Sequence, residues 1–153
     1  MAHKSIADIE KIWLNVDGLK KLSDRVIGIG PFGLGLDAAL TWVPVAGTVY
    51  TVGVGVWLLI QAVRARADAG TLVRMAGYLG VDAVTGEVPV AGDLVDTFFP
   101  GHLLAAKALQ KHIETTHWVE DSATAARASG AHERHVAAMR ADRRLKRVIY
   151  LHD

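Results

Sequence analysis

The amino-acid sequence predicts an all-α protein: two tandem helix–proline-turn–helix hairpins, an amphipathic helix before them and a basic C-terminal helix after them. Three observations predict this. A proline-containing segment is written twice at a fixed offset. Apolar residues recur at three- and four-residue spacing. Glycine and proline punctuate these stretches at hairpin intervals. No segment reads as a convincing strand, with the Val-rich stretch 49–57 as the main competitor.

The first element follows Ser5, a residue type that caps helices. Ile6, Ile9, Trp13, Val16, Leu19, Leu22 and Val26 then fall on one helical face. The breaker-rich "IGIGPFGLG" closes this helix. It lacks the Lys-Ser/Thr ending and the preceding strand of a phosphate loop, and is read as a joint.

The repeat comes next. "GLDAALTWVPVAGT" from Gly35 matches "GVDAVTGEVPVAGD" from Gly80 at eight of fourteen positions. Asp37 aligns with Asp82, Pro44 with Pro89 and Gly47 with Gly92, each at an offset of 45 residues. Proline lacks an amide hydrogen and restrains its predecessor, so a helix reaching Thr41 or Gly86 does not run straight on. Gly47 and Gly92 permit a tight path, and Thr48 and Asp93 are cap-forming types. Each copy reads as helix, proline turn, capped helix. The first copy continues as one long helix over 48–67. Gly70 separates it from "TLVRMAGYLGVDAVTG", and "PGH" at Pro100 breaks a helix that resumes toward His117. Residues 131–150 have helical propensity with a thin apolar stripe. The expected organisation is one helical domain over 1–117, with repeats at about 26–67 and about 71–117, and a basic helical or partly disordered tail over 118–153.

Composition narrows the chemistry. The chain has no cysteine, which excludes disulfides, thiolate metal sites and cysteine nucleophiles. No signal peptide is read at the start. The net charge of +1 hides an uneven distribution. Residues 75–106 hold no Lys or Arg and contain Asp82, Glu87, Asp93 and Asp96, whereas residues 127–153 carry seven basic residues against three acids.

Residues 38–63 are 26 residues without a charge, long enough to span a bilayer. The equivalent stretch of the second copy carries Glu87, Asp93 and Asp96, and a central acid costs roughly 2.5–3.5 kcal/mol on insertion scales. Two hairpins bent at proline fit both copies better than simple spans. Leu58, Leu59 and Ile60 make the intervening helix apolar nearly all round, so protein or lipid is expected to cover it. The basic tail suits an anionic cytoplasmic leaflet.

"LDAALTWVPVAGT", "LVRM" and "VDAVTGEVPVAGDLVD" resemble the paired motifs of the domain-of-unknown-function family forty-one-twelve, over residues 28–114. The resemblance implies a small, helical, membrane-associated protein without an assigned activity, and supplies no catalytic residues. The chain departs from the family pattern at Thr48, at Tyr78 and in "TFFPGHLLAAKAL".

The candidate site residues are acids. Asp37 and Asp82, related by the repeat, either share a cation or a proton or cap the turns beyond them. Asp93 and Asp96, three apart on one face, either join Asp82 and Glu87 as oxygen ligands for Mg²⁺ or Ca²⁺ or serve a helix N-terminus. Capping is the favoured reading for both pairs: for Asp37 and Asp82 because short polar residues at such joints usually satisfy backbone amides, and for Asp93 and Asp96 because no calcium-loop spacing is present. His132 and His135 in "HERH" share a face but lack an evident third ligand, and His102, His112 and His117 are scattered nearby. No nucleophile elbow, zinc-protease motif or catalytic serine–histidine set is present. The expectation is a non-enzymatic membrane scaffold or interaction protein, self-associating through the Gly47–Gly55 face, with lipid as partner and neither cofactor nor nucleic acid. The expected location is the bacterial inner membrane with the basic tail on the cytoplasmic side. The alternative is a cation- or proton-linked transport or binding module using Asp37, Asp82, Asp93 and Asp96.

Overall fold

A computed structural model describes residues 4–28, 44–85 and 101–153, with backbone alone for 23–28, 44–51 and 82–85. The described chain is mostly helical: α1 (Ile6–Gly28), α2 (Pro44–Arg64), α3 (Ala69–Thr85), α4 (Gly101–Glu114), β1 (Thr116–Val119), α5 (Ala123–Ala128), α6 (Ala131–Ala141) and β2 (Arg147–Tyr150).

Helix α1 starts where the sequence places it. The Asp8 amide donates to Ser5 Oγ (3.3 Å), and the Ser5 amide donates back to Asp8 Oδ2 (2.9 Å). This reciprocal cap satisfies amides at both ends of the first turn. The buried face centres on Ile9, Ile12 and Val16, with Trp13 and Leu19 partly covered. Leu22, expected inward, is 63% exposed, and Ile12 takes an inward position outside the expected stripe.

Helix α2 begins at Pro44, four residues before the expected cap at Thr48. Proline suits the first helical turn, where its missing amide hydrogen has no intrahelical partner. Thr48 therefore lies inside the helix. At the far end α2 stops at Arg64, short of the expected 67. Ala67 donates to the Ala62 carbonyl (2.9 Å) and Arg66 to the Val63 carbonyl (3.0 Å), with Arg66 at φ 49°. That pair of bonds around a left-handed residue is a Schellman termination, here with arginine where glycine is usual. Helix α3 starts at Ala69, so Gly70 sits in its first turn. The cap is Asp68, whose Oδ1 accepts from the Thr71 amide (2.6 Å).

Helix α4 packs on α1, α2 and α3. The main core joins Ile9, Ile12 and Val16 to Leu58, Ala62 and Ala65, Met75, Ala105, Ala106, Leu109 and Ile113, and takes Leu151 from the C-terminus. Small residues on α2 and α4 let the helices approach closely. Between α2 and α3 the fit is also close at Gly55, where an added Cβ would lie 3.3 Å from Leu79 Cδ2. This part of the expected Gly47–Gly55 self-association face is thus occupied within the chain.

The expected helix over 131–150 ends at Ala141, and the helix expected to reach His117 ends at Glu114. Thr116–Val119 and Arg147–Tyr150 instead form a two-stranded parallel sheet, with Thr116 opposite Arg147 and Val119 opposite Tyr150. Parallel strands need a long crossover, supplied by α5 and α6. Ser122 caps α5 by accepting from the Ala125 amide (3.1 Å). Val119, Ala126 and Tyr150 form a second small core beneath it.

Asp37, Pro89, Gly92, Asp93 and Asp96 lie outside the described residues, and with them the expected turns and the comparison of the two repeats.

Candidate functional site

Two features carry the described surface and interior: an apolar face on α2 and a polar joint among α3, α4 and β2.

The apolar face follows from the largely apolar composition of α2. Leu58 points into the core with no exposure, whereas Val52, Val56, Ile60 and Val63 are 51%, 51%, 49% and 62% exposed. Their spacing of four, four and three places them in one row on the side opposite Leu58, Ala62 and Ala65. Beside the row an apolar groove runs between α1 and α2, lined by Leu14, Gly18, Leu22, Gly53, Val54 and Trp57. Neither Gly18 nor Gly53 has a neighbour that an added Cβ would meet. Val73 and Val81 of α3 are also exposed. Among the described residues no helix is long and apolar enough to cross a membrane.

The polar joint centres on His112, which is buried at the end of α4. Arg147 of β2 donates to His112 Nδ1 and pairs with the Asp68 carboxylate. Asp68 Oδ2 lies 3.7 Å from the same imidazole nitrogen, and Thr71 Oγ1 lies 3.5 Å from it. An arginine donor at Nδ1 makes that nitrogen the acceptor and assigns the ring proton to Nε2. Nε2 has no hydrogen-bond partner among the described residues. The Trp118 ring stands edge-on to the imidazole with centroids 6.2 Å apart, and Thr116 Oγ1 donates to the His112 carbonyl (2.6 Å). Burial, then the Arg147 charge, hold His112 below its ordinary pKa. The Thr71 amide and hydroxyl, then Arg147, hold Asp68 below the usual carboxylate range. The imidazole has no exposed side-chain surface. It reaches no substrate from there, and the arrangement works as a joint that ties β2 to the helices.

A second histidine group lies on the small sheet. His117 Nε2 of β1 is 3.2 Å from His135 Nδ1 of α6, and His132 Nδ1 is 2.9 Å from the Tyr150 hydroxyl. Burial, then His135, lower the His117 pKa. The "HERH" pair therefore does share one side of α6, but its members bond to different partners. Among the described residues no three His, Cys, Asp or Glu side chains are placed to hold a metal.

Of the acids expected to form a site, Asp82 lies within α3 with its side chain outside the described residues. Asp37, Asp93 and Asp96 lie outside them altogether. Pro44 and Gly47 are both in α2. His102 lies in the first turn of α4. Sequence reasoning missed Asp68 and Arg147. For Asp68 the signal was present: an Asp directly before "AGTLVRM", at the spacing of an N-cap. For Arg147 there was none, since its partners lie 79 and 35 residues away (147 − 68 and 147 − 112).

These features define a small helical bundle whose described surface is organised around an apolar face. The family model for Domain of unknown function (DUF4112) matches residues 12–113, two-thirds of the chain, and the chain belongs to that family. The match covers α1 from Ile12 through Ile113 of α4. The sheet, α5 and α6 lie beyond it. No match was found to a curated protein or to a solved structure.

Proposed function

We propose that the protein is a non-enzymatic, membrane-associated scaffold that lays the outer face of α2 on a lipid surface, with its basic C-terminal part toward the cytoplasm. The observation that carries this reading is the row Val52, Val56, Ile60 and Val63, four large apolar side chains exposed together with no charge between 38 and 63. Exposed contiguous apolar surface marks an interaction site. The groove beside it adds Leu14, Leu22 and Trp57, and a tryptophan between apolar and wet surroundings suits the membrane interface. Because no described helix is long and apolar enough to span, the helix lies in the plane of one leaflet. Removing four half-exposed Val and Ile side chains from water contributes roughly 1 kcal/mol each. The total of about 4 kcal/mol corresponds to about millimolar affinity, so attachment is reversible unless a second contact adds to it.

The test is flotation of the full chain with liposomes. Val56→Asp and Ile60→Asp place charges on an exposed face and leave the core alone, so the fold persists by circular dichroism while flotation is lost. Equal flotation of parent and variants sinks the lipid reading. A dimer in the absence of lipid, abolished by the same variants, replaces lipid with a second copy of the chain.

A further inference from the structure

We infer that the cleft between α1, the end of α4 and the 142–146 loop is a binding site for phosphate groups. Lys107 and Lys111 lie one turn apart on α4, and Arg143 and Lys146 line the same cleft from the segment before β2. All four are exposed, and none has an ion-pair partner among the described residues. Two acids also line the cleft, and both are engaged. Asp142 is held by Arg144 at 2.8 Å, and Glu114 accepts from Trp13 Nε1 at 2.9 Å. Lys20 is drawn toward Gln110, whose Oε1 accepts from it at 2.7 Å, and toward Asp17 beyond. With Arg144 set against Asp142, Glu114 is the one lining acid left to balance Lys107, Lys111, Arg143 and Lys146.

Like charges one turn apart disfavour a helix, and a cleft that collects more of them from a separate segment adds to the repulsion. The helix dipole favours a cation near the end of α4 and so accounts for Lys111. It does not account for Lys107, Arg143 or Lys146. The loop is fixed where it stands. Lys146 donates its amide to the Thr115 carbonyl (2.8 Å), and Leu145 donates to the Asp142 carbonyl (3.0 Å). An anion with several oxygens relieves the repulsion, and lysine and arginine together recognise phosphate. No aromatic side chain lines the cleft, so it offers no stacking platform for bases, and phosphate rather than a nucleic acid strand is the matching chemistry.

The site is independent of the apolar face. Lys20 follows Gly18 by two residues, about 200° round α1, so cleft and groove lie on different sides of that helix. The phosphate comes from a soluble compound or from a lipid headgroup, and the two sources separate by experiment. In calorimetry with inorganic pyrophosphate, the full chain is expected to bind and to weaken several-fold as salt rises from about 50 to about 300 mM. The double variant Lys111→Gln, Lys146→Gln is expected to lose about tenfold or more in affinity with its circular dichroism unchanged, while Lys11→Gln, outside the cleft, binds as the parent does. In a second arm, vesicles of phosphatidylcholine with and without phosphatidylglycerol are floated with the same proteins. Binding that needs phosphatidylglycerol and is lost in the double variant assigns the headgroup as source, and pyrophosphate binding lost in that variant assigns a soluble one. The site is refuted if neither probe binds, if the double variant binds as the parent does, or if an oligothymidylate is retained when both phosphate probes are not.

Discussion

At the scale of single residues, the joint around His112 sets how stability responds to pH. The imidazole is buried beside a guanidinium, and both effects keep it neutral in the fold. Its folded pKa is below the value of about 6.5 it has when unfolded. Below that pH the unfolded chain binds the extra proton, so stability rises with pH there. The contribution is complete above about pH 6.5 and drains as pH falls through the folded value. His117 is shifted the same way by burial and adds to it. Asp68, also shifted down, acts only below about pH 4 and leaves this window alone. The urea midpoint is therefore expected to fall between about pH 7.5 and about pH 5.5, and His112→Gln to flatten that fall while His117 keeps part of it. An unchanged slope in the variant would show that His112 does not carry the dependence. The Ser5 cap gives a simpler case. Its hydroxyl serves the Asp8 amide, so Ser5→Ala is expected to cost about 1 kcal/mol in urea unfolding.

At the scale of elements, α2 separates two roles that composition alone merges. Leu58 and Ile60 are two residues apart in an all-apolar run, yet one has no exposure and the other 49%. Leu58→Ala is expected to cost about 2–5 kcal/mol by leaving a cavity in the core that Leu58 shares with Ala106 and Leu109, and Ile60→Ala to stay within about 0.5 kcal/mol. Equal costs in urea unfolding would mean that the buried and outer faces are misplaced. The sequence made the existence of this helix plain, because an apolar run of that length has few other outcomes. Which face turned inward was not legible, since Leu58, Leu59 and Ile60 offer no polar contrast to set a direction. The opposite holds for α1, where contrast was strong enough to name Ile9, Trp13 and Val16 and the Ser5 cap. The start of α2 departs from the sequence expectation because Pro44 serves as the first residue of the helix and not as the turn before it. The sheet was hidden for another reason. "RVIY" is a four-residue run, too short for periodicity to separate strand from helix, and its partner lies 31 residues earlier (147 − 116).

At the scale of the whole molecule, the described fold is larger than the family segment within it. Residues 12–113 bring α1 to α4, and yet Leu151 is buried in the same core as Ile9, Leu109 and Met75. Polar links run the same way. Arg66, left-handed at the end of α2, donates to the carbonyls of Leu151 (3.1 Å) and Asp153 (2.5 Å). Arg147 reaches Asp68 and His112. The C-terminal strand and the residues after it are thus bonded to the ends of three helices that the family segment contains. Ending the chain at Leu145 removes Leu151 from the core, opens the edge of β1 and leaves His112 without its arginine. Loss of one buried leucine alone is worth about 2–5 kcal/mol, and each kcal/mol moves the midpoint of a domain this size by about 2–4 °C. The shortened chain is therefore expected to melt about 10 °C or more below the full chain in a calorimetric scan. A midpoint within about 2 °C of the parent would mean that the four helices carry their own stability and that the strand is an accessory laid upon them. If the large drop is found, Leu151→Ala and Arg147→Met divide it: the first removes packing without the ion pair, the second the ion pair without the packing. The packing variant is expected to account for more of the loss, because Asp68 is 43% exposed and water screens its half of the pair.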